Sequence, residues 1–517
     1  MKKMSRTIPV LFFLLSILAA GCDDPEPEPE PEPEPFNFDK VVMGQVMLEV
    51  NPYDICPLTA LAVFGTIEDV SVTITVLGEE PVSKNIDTLK NIHSIPILGL
   101  YPAVDNSVVI GLTSRLGEYD ADTFIIRTDS VPVFFPDITV KKAATDLMEP
   151  GWTLCTMGIG LGYNFGSYPV MFDNHGVVRW YMAFHEVSEG WITPVEPLRN
   201  GNLLFGLTDS IFEYDMVGQR ISKWILPDYI QSHDVIEKPD GNLLVPVLKR
   251  NSGTADDHIV EIDRQSGSVI HTWDLREVLD MDRIDLVEDS WDWLHINSLW
   301  YSEEDSCLLI SGRNQCILKV TYENELVWIL APHMGWGQAG KNGDGLQTSE
   351  YLLTAVDASG NPYPDSIQTG EYDAEDFSWV WGQHAAMYLP GGNLFTFDNG
   401  YLRNFSNANR YSRGVEYEID EENMTIKQVW QYGKERGREF FSSIISDVDF
   451  LPETETRLLT SGIIGGTPHY TTIVEVTYPA KEVVFEARLS YKDMLVEGTG
   501  WGGFDWTYRA ERMTIYP

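Results

Sequence analysis

Val260-Glu-Ile-Asp263-Arg-Gln-Ser-Gly-Ser-Val-Ile-His-Thr-Trp273 reads as a strand ending in an acid, a Gly-containing turn, and a second strand ending in tryptophan. The same pattern recurs along the chain. Met171-Phe-Asp173 leads to Trp180, Phe212-Glu-Tyr-Asp215 to Trp224, Leu318-Lys-Val-Thr321 to Trp328, and Tyr417-Glu-Ile-Asp420 to Trp430. A sixth copy, Val474-Glu-Val-Thr477, runs to Val484-Phe485 without the Trp. Most steps between these aromatic positions are 44 to 55 residues, the length of a four-stranded propeller blade. The expected fold is therefore all-β, a six-bladed β-propeller over residues 149–517. The single long step, 102 residues from Trp328 to Trp430, contains a Gly-rich stretch from Pro332 to about Asp376, read as a loop over one face rather than a seventh blade. The tryptophans are assigned to packing between blades.

Residues 37–148 alternate in short runs such as Val70-Ser-Val-Thr-Ile-Thr-Val76 and Ser107-Val-Val-Ile-Gly-Leu-Thr113, broken by Pro, Gly and Asn/Asp turns. That pattern predicts a small N-terminal β-sandwich. Residues 1–22 read as a lipoprotein-type signal peptide: Lys2, Lys3 and Arg6, an apolar run from Ile8 to Ala20, then Gly21-Cys22. Ala19-Ala20-Gly21-Cys22 resembles a lipobox with Ala in place of the usual first Leu, so Cys22 is the expected lipidation site. The chain is then exported and held to the cell envelope by a lipid anchor. Residues 23–36 include uninterrupted Pro-Glu alternation from Pro25 to Pro35. At about 3.1 Å per residue, an extended tether of this kind holds the body roughly 30 Å from a membrane.

The chain has 517 residues, 43% of them hydrophobic, with a formal charge of -42. It is long and apolar enough for sizeable cores, and its charge excludes nucleic acid as a natural partner. With Cys22 acylated, Cys56, Cys155, Cys307 and Cys316 remain, and Cys307 and Cys316 flank one hairpin, free to pair or to be buried as thiols. The oligomeric state is not fixed, and a homodimer is compatible with the sequence.

A second signature is a Gly-Asn-Leu strand at Gly201, Gly241 and Gly392. Ten residues before its first Leu lie His233 in one unit and His384 in another; His295 holds the corresponding place before Leu308, while Thr193 and Ser446 are the counterparts elsewhere. Equivalent positions in a radial repeat lie at one height around one axis, so the three histidines converge. The hairpin from Asp292 to Gln315 adds Asn297 and Arg313. Three imidazoles and water also make a zinc or iron site. A fixed guanidinium beside a cation is unfavourable, however, and suits an oxyanion better. One neutral imidazole then serves as nucleophile, its neighbours exchange protons, and Arg313 and Asn297 neutralise equatorial oxygens. No Gly-rich phosphate loop or carboxylate cage for magnesium is present, so no cofactor is called for. A metal-dependent hydrolase or lyase and a non-catalytic surface-binding propeller remain the alternatives.

Asp292-Trp-Leu-His295-Ile-Asn297-Ser, Ser311-Gly-Arg313-Asn-Gln, Trp328-Ile-Leu-Ala-Pro, Gln383-His384, Phe397-Asp-Asn-Gly400 and Ser412-Arg413-Gly-Val-Glu-Tyr417 resemble the bacterial aryl sulfotransferases. The resemblance extends to Asn51-Pro-Tyr53 and Ile97-Leu-Gly-Leu-Tyr-Pro102. It implies a β-sandwich before a six-bladed propeller, and sulfuryl transfer from phenolic sulfate donors to phenol acceptors without a nucleotide donor. It implies His384 as the transiently sulfated nucleophile, His233 and His295 as the acid/base pair, and Asn297 and Arg313 as ligands of the sulfuryl oxygens. A family hydroxyl with the same task falls near Thr460. Members of that family can carry a disulfide before the nucleophilic His; residues 331–517 here contain no Cys, so maturation through that bond is not expected.

Overall fold

The computed structural model describes residues 35–161, 164–184, 192–283, 289–408, 410–466, 468–492 and 505–516. The signal segment, Cys22 and the tether up to residue 34 lie outside the described residues. The described chain is all-β, and none of its helices is long and apolar enough to cross a membrane.

Five strands at the front, Val42–Val50, Ala60–Val76, Val82–Ile97, Asp105–Ser114 and Tyr119–Arg127, form one antiparallel sheet rather than two separate ones. The reason is the 17-residue strand Ala60–Val76. Its first part pairs with Val42–Val50 and its last part with Asp105–Ser114, with a register break between Gly65 and Val70. The sheet changes partner at that break, and Ala62, Phe64, Val72, Ile74, Ile95 and Ile110 fill one shared core. Alternate burial along Ala60–Val76 is the period-two pattern that its sequence shows.

Behind it, the described residues form six sheets of four or five strands. The hairpin read around Asp292 to Gln315 is present as Ile296–Tyr301 paired with Leu308–Gly312, and Cys316–Val320 and Leu326–Leu330 complete its sheet. Four of the five repeated tryptophans sit on the outermost strand of their sheet and reach the following one by a hydrogen bond, while Trp430 sits on Thr425–Tyr432, inside the added Thr354–Ala355, and its indole nitrogen has no partner among the described residues. The indole nitrogens of Trp180, Trp224 and Trp273 donate to the carbonyls of Met216, Arg264 and Thr321 at 2.7, 2.9 and 3.2 Å. Trp328 donates to Glu421 at 2.8 Å. The repeat is thus legible because each unit needs one large side chain that bridges to the next.

One boundary differs from the sequence reading, and the ring of sheets closes through a strand from the far end of the chain. Asp137–Ala143, placed with the front domain by the boundary at residue 148, pairs with Val483–Ser490 as a fifth strand of the last sheet. Trp506–Met513 pairs with Trp152–Leu161, so the C-terminal strand completes the first of the six sheets. The stretch from Pro332 to Asp376 makes no sheet of its own, yet it is more than a loop over one face. Its Thr354–Ala355 adds in parallel to the strand Thr425–Tyr432, and its Leu353 and Ala355 share a core with Trp328. All four described cysteines are buried free thiols, so Cys307 and Cys316 take the unpaired course.

Candidate active site

In an antiparallel meander the first strand begins, the second ends and the third begins at the same end of the sheet. His295 immediately precedes Ile296–Tyr301, Arg313 immediately follows Leu308–Gly312, and His384 opens His384–Tyr388; all three therefore face one end of the fold. His233 lies between Tyr229–Gln231 and Ile236–Glu237, where the first strand of its sheet is interrupted. Both His233 and His295 are left-handed, with φ of 58° and 57°, and Ala385 after His384 has φ of 55°. Side-chain-bearing residues hold such backbone only when their surroundings over-determine it, and such outliers cluster at sites of function.

The three histidines meet. The rings of His233 and His295 are 4.5 Å apart, and the rings of His233 and His384 lie 6.0 and 6.2 Å from that of Tyr508. Burial pushes the His384 imidazole well below its ordinary value, helped by the charge of Arg313 and the neighbouring His295 and His233. His233 is lowered in the same way, by burial, then His295, Arg313 and Arg509. Both rings are neutral at physiological pH.

Each ring also has a partner at Nδ1, and for His384 and His295 that partner is an acceptor that selects the tautomer. Asn399 donates both amide hydrogens, to the carbonyls of Ser442 and Ile445, each at 2.8 Å. Its oxygen is thereby turned to His384 Nδ1 at 2.8 Å, which must carry the proton, leaving the Nε2 lone pair free. His295 Nδ1 lies 2.6 Å from Asp292 Oδ2, and His233 Nδ1 lies 3.1 Å from the Tyr508 hydroxyl. Burial raises the Tyr508 hydroxyl above its ordinary value, so it is a phenol able to donate.

Arg313 is buried, its backbone N–H donates to the His295 carbonyl at 2.9 Å, and its guanidinium lies 5.1 Å over the Tyr401 ring. Asn297 is fully buried and donates its amide to the carbonyl of Gln383, the residue before His384, at 2.7 Å; its oxygen has no partner among the described residues. Thr460 is buried on Thr456–Ile464 with an unpartnered hydroxyl, and pairs across the strand with Asp447. Thr193 and Ser446, the other residues of the histidine register, are engaged locally: each hydroxyl accepts a backbone N–H, from Gly206 and Gly462.

Sequence reasoning did not single out Asp292, Asn399, Asp256 or Tyr508. Asn399 sits within Phe397-Asp-Asn-Gly400 and Asp292 three residues before His295, so both had a local signal. Tyr508 had none, because the closing strand brings it from the far end of the chain. Asp256 approaches His233 Nε2 to 3.8 Å, and His233, Asp256 and His295 offer ligand atoms within 4.8 Å of one another. The trio that could hold a metal thus contains a carboxylate in place of His384.

Residues 137–497 match the arylsulfotransferase (ASST) family, and residues 47–129 match the arylsulfotransferase Ig-like domain. The chain is 28% identical to an arylsulfate sulfotransferase of Lelliottia amnigena and 27% identical to one of Escherichia coli O6:H1. Each comparison covers 84% of this chain and 89% of the relative. Among solved structures, a virginiamycin B lyase from Staphylococcus aureus overlaps 84% of this chain and 99% of its own, at 11% identity and a TM-score of 0.30. The family match spans most of the chain, including every histidine of the cluster and the arginine beside them: this protein belongs to the arylsulfotransferase family.

Proposed function

We propose that this enzyme moves a sulfuryl group from a phenolic sulfate to a phenol in two steps, through a sulfated His384, on a six-bladed propeller carried behind a small N-terminal β domain. The observation that carries the reading is the Asn399 contact, which holds the proton on His384 Nδ1 and leaves Nε2 as a neutral nucleophile beside Arg313. Nε2 attacks the sulfur; the bond from sulfur to the phenolic oxygen breaks, and the oxygen leaves as a phenolate held by a hydrogen bond from the neutral His233, taking its proton from solvent. With the Tyr508 hydroxyl donating to His233 Nδ1, the ring carries its hydrogen at Nε2 and points it at the leaving oxygen. His295, with Nδ1–H held by Asp292, accepts the proton of the incoming phenol at its own Nε2 and gives it up to solvent before the next turnover. The incoming oxygen attacks sulfur and the S–N bond breaks. Arg313 neutralises charge on the equatorial oxygens in both steps. Asn297 fixes the peptide ahead of the nucleophile, and the Thr460 hydroxyl is a further ligand for the sulfuryl group.

Treating the protein with an aryl sulfate in the absence of acceptor, followed by an alkaline quench and peptide mass spectrometry, should place one SO3 on His384. Its appearance on another residue would overturn the mechanism. His384→Asn should abolish transfer while leaving the thermal midpoint near that of the parent.

A second reading, metal-assisted hydrolysis, is favoured by one observation, the His233, Asp256 and His295 cluster. Arg313, whose charge already lowers His233, opposes it. Elemental analysis finding a stoichiometric transition metal, with activity lost on chelation, would establish that reading instead. The proposal includes export and anchoring through Cys22: Cys22→Ser should move the protein from the membrane fraction to the soluble one.

A further inference from the structure

We infer that a cationic pocket next to the imidazole site binds the non-reacting end of the substrate, selecting phenols and aryl sulfates whose scaffold carries a second oxyanionic group, a carboxylate or sulfonate, remote from the reacting oxygen. The inference rests on the sulfuryl-transfer reading and deepens it. The pocket encloses about 700 Å³, and its walls include Arg410, Arg438, His469, Phe441 and Ile463. No Asp or Glu is among its lining residues within the described chain, whose full sequence has a formal charge of -42. A field of that sign repels anionic substrates everywhere except where cations are gathered, so two guanidiniums around one cavity create a local capture site. The half-buried Phe441 ring lies 5.9 Å from the Arg410 guanidinium and offers a face to an aryl group. Arg410 Nε donates to the Asn407 carbonyl at 3.0 Å, which leaves the outer guanidinium nitrogens for a bidentate oxyanion.

Connectivity places this pocket at the catalytic end. Its walls come from the turn between Leu394–Asp398 and Arg413–Asp420, the connection between Thr425–Tyr432 and Asp447–Leu451, and the turn between Thr456–Ile464 and Tyr470–Val476. In their sheets these are the second-to-third turns and the lead into a first strand, the same end at which His384 and Arg313 stand. One segment belongs to both places. Phe441, Ser443 and Ile444 face the pocket, while the carbonyls of Ser442 and Ile445 hold the Asn399 amide that orients His384. A ligand seated in the pocket therefore rests on the loop that sets the nucleophile.

The test uses the full chain, one aryl sulfate donor, and phenol acceptors bearing a carboxylate on alkyl spacers of increasing length, each paired with its methyl ester; a sulfonate series forms the second arm. One spacer length should give an acid with a markedly lower KM than its ester, and the sulfonate of that length should behave alike. In Arg410→Gln/Arg438→Gln the acid-to-ester ratio of kcat/KM should fall about tenfold or more, through KM, at least the effect of losing one charged hydrogen bond. Arg438→Glu should invert the preference, a result that misfolding cannot produce. Equal KM for acid and ester at every spacer length, or a ratio indifferent to both variants, overturns the pocket assignment while leaving transfer itself intact. Absence of transfer even to the neutral esters would instead defeat the sulfuryl-transfer reading, and the pocket with it.

Discussion

Asn399 decides which nitrogen of His384 can attack, and that makes it the sharpest residue-scale test. Its amide has no freedom to flip, since two carbonyls take its hydrogens. Replacing it with Ala frees the ring and the tautomer, and kcat/KM should fall roughly 10–100-fold, the range for loss of an orienting partner of a functional imidazole. Asn399→Asp separates orientation from charge. The imidazole of His384 is held well below its ordinary value, so the neutral nucleophile persists into acid and the acid limb of the rate profile lies below pH of about 6.5. A carboxylate at position 399 favours the imidazolium, so that limb should move upward by a pH unit or more; an unmoved limb would mean that another group controls it. Arg313→Met should lower kcat/KM by about 10² or more for donor and acceptor alike, since the same sulfuryl oxygens occupy the site in both steps. The histidines were countable from the sequence because His233 and His384 share one offset, ten residues before the first Leu of a Gly-Asn-Leu strand, and His295 lies 13 before Leu308, with the difference taken up by a longer acidic turn. Their partners were harder to find, because Asn399, Asp292 and Tyr508 arrive from turns and from a strand outside that count.

The elements that hold these residues are stapled by side chains whose worth lies in what they leave behind if removed. Arg179, fully buried, joins the front sheet to the first of the six. It donates to the Gly99 carbonyl at 3.1 and 2.6 Å, to the Glu80 carbonyl at 3.2 and 3.3 Å and to Asp173 at 2.9 Å, with its guanidinium 3.5 Å from the Tyr101 ring. Truncation to Ala strands a buried carboxylate and two carbonyls. Arg179→Ala should therefore cost about 3–5 kcal/mol, read as a lowered urea midpoint. A loss below about 1 kcal/mol would show that water replaces the guanidinium without penalty. Period-two alternation and the Asp-to-Trp spacing announced the strands themselves. Long-range closure was not announced: nothing local in Asp137–Ala143 says that it will pair with Val483–Ser490 rather than with the strands just before it.

At the scale of the whole molecule, the six sheets bring together acids that the sequence keeps far apart. Glu196, Asp447, Asp449 and Glu511 line a cavity of about 170 Å³ together with Arg509. Arg509 is itself bound to Asp234 at 2.8 Å. Net charge gave no hint of this gathering, because its members come from the first, second and sixth sheets of the series. Burial pushes Glu196 and Asp447 up to about 8 and Asp449 to about 7, and raises Glu511 well above the ordinary carboxylate range. The folded state therefore keeps protons that the unfolded chain releases near a pH of about 4. Where the native state binds more protons, stability falls with rising pH. From these groups, stability is greatest below the unfolded value and is lost progressively up to the folded values of about 7 to 8. Thermal midpoints measured at intervals between pH of about 5 and about 8.5 should decline toward the alkaline end. Asp449→Asn, which keeps the shape and removes the titrating proton, should flatten the curve and gain most at the alkaline end. If parent and variant decline in parallel, Asp449 is ionised at little cost in the folded protein and the cavity is better solvated than its lining suggests.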